Sequence, residues 1–268
     1  MEQIIIPGTN ITSSRFIFGT ASLFNAGTSK ARTKLLHAAV DNGFTHFDTA
    51  PYYGFGWAEK DLSSILAAHP NVTVTTKVGI YSPGGEQQSS SSVFIRKALG
   101  RFIKSASKPT VDFTVARAQK SLEGSLQRLR RSHIELFVLH DPDIWLLDTD
   151  EWSRWLEDKV SSGQIQNFGL ALTSEKLKPF LERGSQLSSV IQLFDSLEHT
   201  EADLLMQYGR DFQITYGYVS AARAAGSLRT VEEILTAALK RNKTGAIIVS
   251  TKQIARLAQY SRILERSR

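Results

Sequence analysis

The feature that most constrains this chain is a repeated alternation of short, continuous, β-branched-rich runs with longer segments of helical period. Runs such as VTVTTKV (72–78), IELFVLH (134–140) and GAIIVS (245–250) suit parallel strands buried on both faces. Strands are predicted at Arg15–Gly19, Thr45–Asp48, Val72–Lys77, Ile134–His140, Ile165–Ala171, Val190–Leu193, Phe212–Tyr216 and Ala246–Val249. Helices are predicted at Ser29–Asn42, Ala58–Ala68, Val115–Leu129, Glu151–Ser161, Glu175–Arg183, Ala202–Tyr208, Thr230–Arg241 and Gln253–Leu264. Ser29 is placed to cap the first helix and Gly43 to end it. Upstream, Gln3–Ile6 and Asn10–Ile11 flank Pro7-Gly8-Thr9, which reads as a small N-terminal hairpin. Such alternation over 268 residues points to an α/β fold: a closed (β/α)8 TIM barrel rather than an open doubly wound sheet. The whole of 1–268 is read as one domain. A dinucleotide-binding glycine fingerprint is missing, because Gly54 and Gly56 begin a G-x-G but Glu59 stands where the third glycine belongs.

Composition excludes several chemistries. With no cysteine, disulfides, Cys-ligated zinc, iron–sulfur clusters and thiol catalysis are ruled out. No metal-binding triad is evident. The net charge of +6 and pI near 9.5 are compatible with an anionic ligand such as a phosphorylated cofactor. The Arg128, Arg130 and Arg131 cluster reads as a solvated helix end rather than a nucleic-acid stripe. No signal peptide and no membrane-length apolar stretch is visible, so a cytoplasmic protein is expected, without nucleic-acid or membrane partners.

In barrels of this kind, chemistry sits where strands end at their carboxyl edge. The second predicted strand ends in Asp48, followed by Tyr52 and Tyr53; the third ends in Lys77 and the fourth in His140. Each alone reads equally as a turn residue, a packed aromatic or half of a structural ion pair. Together on adjacent strand ends they suggest proton donation to a carbonyl. Lys77 would lower the pKa of the Tyr53 hydroxyl, Asp48 would hold Lys77, and His140 would donate a hydrogen bond to the carbonyl oxygen. No side chain can supply a hydride, so a cofactor is required.

The runs GFTHFDTAPYYGFGWAEKDLSSIL (43–66), TVTTKVG (73–79) and SLQRLRRSHIELFVLHDPD (125–143) resemble the signature segments of the aldo-keto reductases, in order and spacing, across nearly the whole chain. The resemblance implies a barrel that uses NADPH, less often NADH, to reduce an aldehyde or ketone or to run the reverse oxidation, for example of an aldose. It implies Asp48, Tyr53, Lys77 and His140 as the catalytic set. It also implies cofactor contacts from Gly19, Thr20 and Asp48, from Gln192 in IQLFDSL, and from Tyr216 in ITYGYVSAA. Ser250, Thr251, Lys252 and Arg256 would hold the adenosine 2′-phosphate, which favours NADP over NAD. Loops after the last strands and a helix N-terminus commonly supply such a phosphate site.

Two departures stand out. Family members usually carry Ser-Asn after the fifth strand, where this chain has Ala171-Leu172, so two polar contacts to the nicotinamide are expected to be absent, with Thr173 or Ser174 as substitutes. This departure motivates an alternative reading, a cofactor-binding regulatory barrel with little turnover. Read as given, the chain stops at Arg268, and no long C-terminal segment is expected to close the pocket. Phe24, Phe55, Trp57, Trp145 and Tyr218 are candidate pocket walls, or simply packing residues. Gly79–Phe113, which contains GGEQQSSSS and FIRKALGRFIKSASKP, is too long for an ordinary connection: either a lid over the barrel mouth or a surface excursion. Oligomeric state is not legible.

Overall fold

The computed structural model describes residues 1–86 and 109–266. Most of the predicted excursion at 79–113 therefore lies outside the described residues. Strands β1 (Gln3–Ile5) and β2 (Thr12–Ser14) pair antiparallel. Strands β3 (Phe16–Gly19), β4 (His46–Asp48) and β5 (Thr73–Val78) follow. The short β6 (Ile80–Tyr81) pairs antiparallel with β7 (Thr110–Val111), which ties together the two described ends of the excursion. Next come β8 (Ile134–His140), β9 (Ile165–Leu172), β10 (Val190–Phe194), β11 (Ile214–Tyr216) and β12 (Ala246–Val249). The strands β3, β4, β5, β8, β9, β10, β11 and β12 close into one parallel barrel, β12 pairing back onto β3.

The barrel separates two apolar layers by the period-2 alternation of its strands. Ile17, Leu136, Val138, Val190, Ile214 and Ala246 pack inside the barrel. Phe16, Phe18, Phe47, Phe137, Leu139, Ile191, Leu193 and Ile247 point outward into the shell of helices. The hairpin plugs the barrel floor with Ile6 and Ile11. Its second strand therefore begins at Thr12 and not at the predicted Asn10: Ile11 leaves the ladder to fill the interior.

Helix boundaries differ from expectation where caps decide them. The first helix (Ser29–Asp41) is capped by Thr28, whose hydroxyl accepts from the Ala31 N–H, while Ser29 Oγ instead donates to Asp61. Thr230 forms a reciprocal capping box with Glu233. A short helix at Tyr218–Ala224 escapes the apolar-period reading because it spans barely two turns. The last helix starts at Leu257 after a 3-10 turn at Ile254–Arg256. The Arg128 cluster also differs from expectation. Arg128 is buried against the fully buried Glu59, with Nε–Oε2 at 2.6 Å, and Arg131 pairs with Glu135. The helix that carries Arg128 packs on the one that carries Glu59, so Arg128 and Arg131 are structural, and only Arg130 is exposed at the helix end.

Candidate active site

Alternation dictates which residues crown the barrel interior. Counting inward positions along each strand leads from Ile17 to Gly19, His46 to Asp48, Thr75 to Lys77, Val138 to His140, Val190 to Gln192, Ile214 to Tyr216 and Ala246 to Ile248. All of these upper residues line one cleft of about 510 Å3, with Tyr53, Asp141, Ala171, Thr173, Gly217, Ser220 and Ser250 among its other walls. Register sets their neighbours: Gly19 lies opposite Asp48, and Ala171 opposite both His140 and Gln192.

Lys77 is almost fully buried, and its ammonium is saturated. It donates to Asp48 Oδ1 at 2.6 Å, to Asp48 Oδ2 at 2.7 Å and to the Thr49 carbonyl at 2.9 Å. Burial drives both partners toward their neutral forms, lowering Lys77 and raising Asp48, and their mutual contact opposes this. Gln192 adds an amide hydrogen bond to the Asp48 carboxylate. Thr20 fixes Asp48 from behind: its backbone N–H and its hydroxyl both donate to the Asp48 carbonyl at 2.9 Å. Thr20 itself is not part of the cleft wall. Glu59 accepts from Thr76 Oγ1 at 2.7 Å and raises Lys77 electrostatically.

Tyr53 lies beside this pair, with Lys77 Nζ 4.9 Å from its ring centre and the His140 ring edge-to-face at 5.9 Å. The hydroxyl is pushed well above its ordinary value, first by burial and then by Asp48. This corrects the expectation that Lys77 lowers it. Asp48 neutralises the ammonium locally, and desolvation of the phenolate dominates. Tyr53 is therefore held protonated at neutral pH. His140 is pushed down to about 3 by burial, then by Lys77 and Lys176, so its imidazole is neutral.

Two buried polar atoms of the wall have no partner among the described residues: His140 Nδ1 and Gln192 Oε1. Such atoms are costly unless a ligand satisfies them. Tyr216 is propped edge-to-face on Phe194 at 5.7 Å. A smaller cleft of about 240 Å3 shares Gly217, Ser220, Ile248, Val249 and Ser250 with the first and extends to Arg223, Arg256 and Tyr260. The two form a continuous trough, apolar and amide-lined at one end and basic at the other. This donor set fits a nicotinamide dinucleotide with an added phosphate. Thr251 is buried and closes a turn by accepting from the Gln253 N–H at 3.0 Å, and Lys252 is exposed outside both cleft walls. Among the described residues, no group of three His, Cys, Asp or Glu is placed to hold a metal.

The expected pocket walls lie outside the main cleft, although Tyr218 lines the smaller one. Trp57 sits between Arg32 and Lys60, Phe24 packs under Arg32, and Trp145 is 74% exposed beneath Arg183. Tyr218 is buried with its hydroxyl donated to Asp195, and Phe55 is buried in a left-handed turn. None of the five lines the main cleft among the described residues. Cation stacking claims Phe24, Trp57 and Trp145, and a buried hydrogen bond claims Tyr218. Sequence reasoning missed Ala21, Ile80, Asp141, Ser220, Ile248 and Val249 as walls. Strand parity alone would have found Ile248.

The barrel and its trough define a class, the NAD(P)-dependent oxidoreductases that interconvert carbonyls and alcohols. Comparison with known proteins narrows it: residues 15–214 match the Aldo/keto reductase family, and the chain belongs to that family. It is 29% identical to a 6-dehydroglucose reductase of Novosphingobium aromaticivorans, over 90% of this chain and 83% of that one. It is 28% identical to a D-threo-aldose 1-dehydrogenase of a Pseudomonas species, over 89% of this chain but only 64% of the relative. The fold is shared with a glycerol dehydrogenase of Gluconobacter oxydans, with a TM-score of 0.74, 21% identity, and coverage of 97% of this chain and 89% of that one. It is shared too with an aldo-keto reductase of Klebsiella pneumoniae solved with NADPH, with a TM-score of 0.67, 19% identity, and coverage of 99% and 90%.

Proposed function

We propose that this chain is an NADPH-preferring reductase of a small aldehyde or ketone, with Tyr53 as proton donor. The observation that carries the reading is Tyr53 held protonated beside a neutral His140 and an ion-paired Lys77, above a trough with an unpartnered buried amide oxygen. When bound, NADPH would supply the hydride that no side chain can. Gln192 and Tyr216 would hold and face the nicotinamide end. Ser250 and Arg256, which line the basic end, would hold the 2′-phosphate, with Lys252 adding charge from outside the wall.

The neutral His140 ring would donate a hydrogen bond to the substrate oxygen and fix its direction. The Tyr53 O–H would pass its proton to that oxygen as charge develops there. The phenolate left behind faces the Lys77 ammonium and is reprotonated from solvent. Asp48 and Thr20 keep Lys77 in place for that task. Ala171-Leu172 stands in place of the Ser-Asn pair, so the Thr173 hydroxyl is the polar side chain offered on that wall. In the reverse direction the same residues would serve, with Tyr53 as base. A neutral carbonyl or sugar is the proposed substrate. The proposed location is the cytoplasm, compatible with the cysteine-free composition.

The test is turnover of a carbonyl panel by wild type and Tyr53→Phe, with NADPH and NADH titrated by tryptophan quenching. Removing a general acid should cut kcat by about 10²–10⁴-fold, with NADPH affinity within threefold of wild type. Tight NADPH binding without turnover of any carbonyl would favour a regulatory barrel instead.

A further inference from the structure

Asp141 follows His140 on the cleft wall and adopts φ of 54°, in the left-handed region. That conformation is uncommon outside glycine, although Asp and Asn tolerate it best. Three contacts hold it there. Its backbone N–H donates to the Ala171 carbonyl at 2.7 Å. Lys176 Nζ donates to the Asp141 carbonyl at 3.0 Å and to its Oδ2 at 2.7 Å. Lys176 stands on the helix Ser174–Glu182, outside the cleft wall. Strained backbone fixed by several independent contacts beside reacting groups points to a positional role.

The carboxylate is clamped through one oxygen, and Oδ1 takes no partner among the described residues. Nearby on the same wall, the Thr173 hydroxyl makes no hydrogen bond either and does not cap its own helix. Apolar side chains of the same cleft are Ala21, Ile80, Ala171, Ile248 and Val249. The described wall carries the ions Asp48, Lys77 and Asp141. Lys77 is consumed by Asp48, whereas the 41% exposed Asp141 carboxylate is paired through Oδ2 alone, which leaves its Oδ1 to meet a substrate.

The geometry points to Asp141 as a specificity determinant that accepts a hydrogen bond from a substrate hydroxyl near the reacting carbonyl, with Lys176 as its positioning residue. This rests on the reductase reading above and deepens it. The substrate class is a neutral, hydroxylated carbonyl compound of the sugar type, as against a plain alkyl aldehyde. A carboxylate-bearing carbonyl would meet Asp141 as a like charge.

The experiment compares D-glyceraldehyde with propanal, which match in carbon number and differ in hydroxyls, using NADPH and wild type, Asp141→Ala, Asp141→Asn, Lys176→Met and Lys176→Arg. Asp141→Ala should lower the glyceraldehyde-to-propanal ratio of kcat/KM by about tenfold, the size expected for one charged hydrogen bond. The loss should fall on KM rather than kcat. Asp141→Asn keeps an acceptor and tolerates the left-handed backbone, so its ratio should stay within about threefold of wild type. Lys176→Met should fall between the two, and Lys176→Arg should restore the ratio. A ratio unchanged in Asp141→Ala, or equal losses on both substrates, would overturn the assignment.

A ligand-detected NMR titration with glycerol and 1-propanol separates this inference from the reductase reading. If wild type reduces neither aldehyde, the reductase reading fails. Glycerol binding that Asp141→Ala abolishes would then still support the hydroxyl site, and binding indifferent to Asp141 would sink it.

Discussion

Replacing Lys77 with Met tests the electrostatic core of the site, and the structure supplies the magnitude. The Lys77 and Asp48 side chains are only 2% and 5% exposed. The ammonium provides two of the hydrogen bonds on the Asp48 carboxylate, and the substitution leaves Gln192 as its side-chain partner. An unpaired buried charge costs about 3–5 kcal/mol. Asp48 can escape part of that cost by taking up a proton. Burial already pushes this carboxyl up, and Lys77 is the strongest opposing influence, so its folded-state value rises further in the variant.

The unfolded chain keeps an ordinary value of about 3.9. Above that pH the folded variant binds more protons than the unfolded one, so its stability falls as pH rises toward the folded value. The slope is at most about 1.4 kcal/mol per pH unit. Urea unfolding of wild type, Lys77→Met, Asp48→Asn and the double variant should therefore show a small deficit for Lys77→Met near about pH 5 and the full deficit near about pH 8. The double variant should recover part of the loss, because no charge is stranded. A deficit independent of pH, or smaller than about 1 kcal/mol, or a double variant no better than Lys77→Met, would refute the reasoning.

Further outcomes follow from the same structure. His46 and His140 are both pushed down to about 3, first by burial, whereas the unfolded chain protonates near 6.5. Stability should fall as pH drops below about 6.5, by up to about 1.4 kcal/mol per unit for each histidine, and urea unfolding of His140→Gln should show a shallower slope. Arg128→Met leaves the fully buried Glu59 with Thr76 as its side-chain partner. It should cost about 3–5 kcal/mol in urea unfolding, partly restored by adding Glu59→Gln. Arg256 lines the basic end of the trough but is exposed, so Arg256→Met should raise the KM for NADPH by roughly three- to tenfold and leave that for NADH unchanged. Steady-state kinetics at two salt concentrations checks this.

Strand–helix alternation was legible because a parallel barrel strand, buried on both faces, must be a short β-branched run, and each crossover must carry a helix with an apolar face. The barrel and the ends of several strands followed directly, and Val115–Leu129, Ile134–His140 and Ala246–Val249 match residue for residue. Asp48, Tyr53, Lys77 and His140 were legible because strand ends of one rim converge in any such barrel. Strand parity further determines that Gln192, Tyr216 and Ile248 point inward.

Pairings across long sequence separations were not legible. Arg128 looked solvated because no local pattern reveals Glu59, 69 positions away. Asp141 drew no reading from the sequence, because the Lys176 that clamps it lies 35 positions on. Tryptophans and phenylalanines looked like pocket walls because sequence shows an aromatic's size but not the cation already stacked on it. The acidity of Tyr53 depended on tertiary structure most of all. The sequence shows a lysine near a tyrosine, which would make the hydroxyl more acidic, but the folded chain spends that lysine on Asp48 and withdraws the hydroxyl from water. Composition and period determine which segments are buried. Desolvation and partner choice arise only when distant segments close on one another, and these decide the charge state of each group in the site.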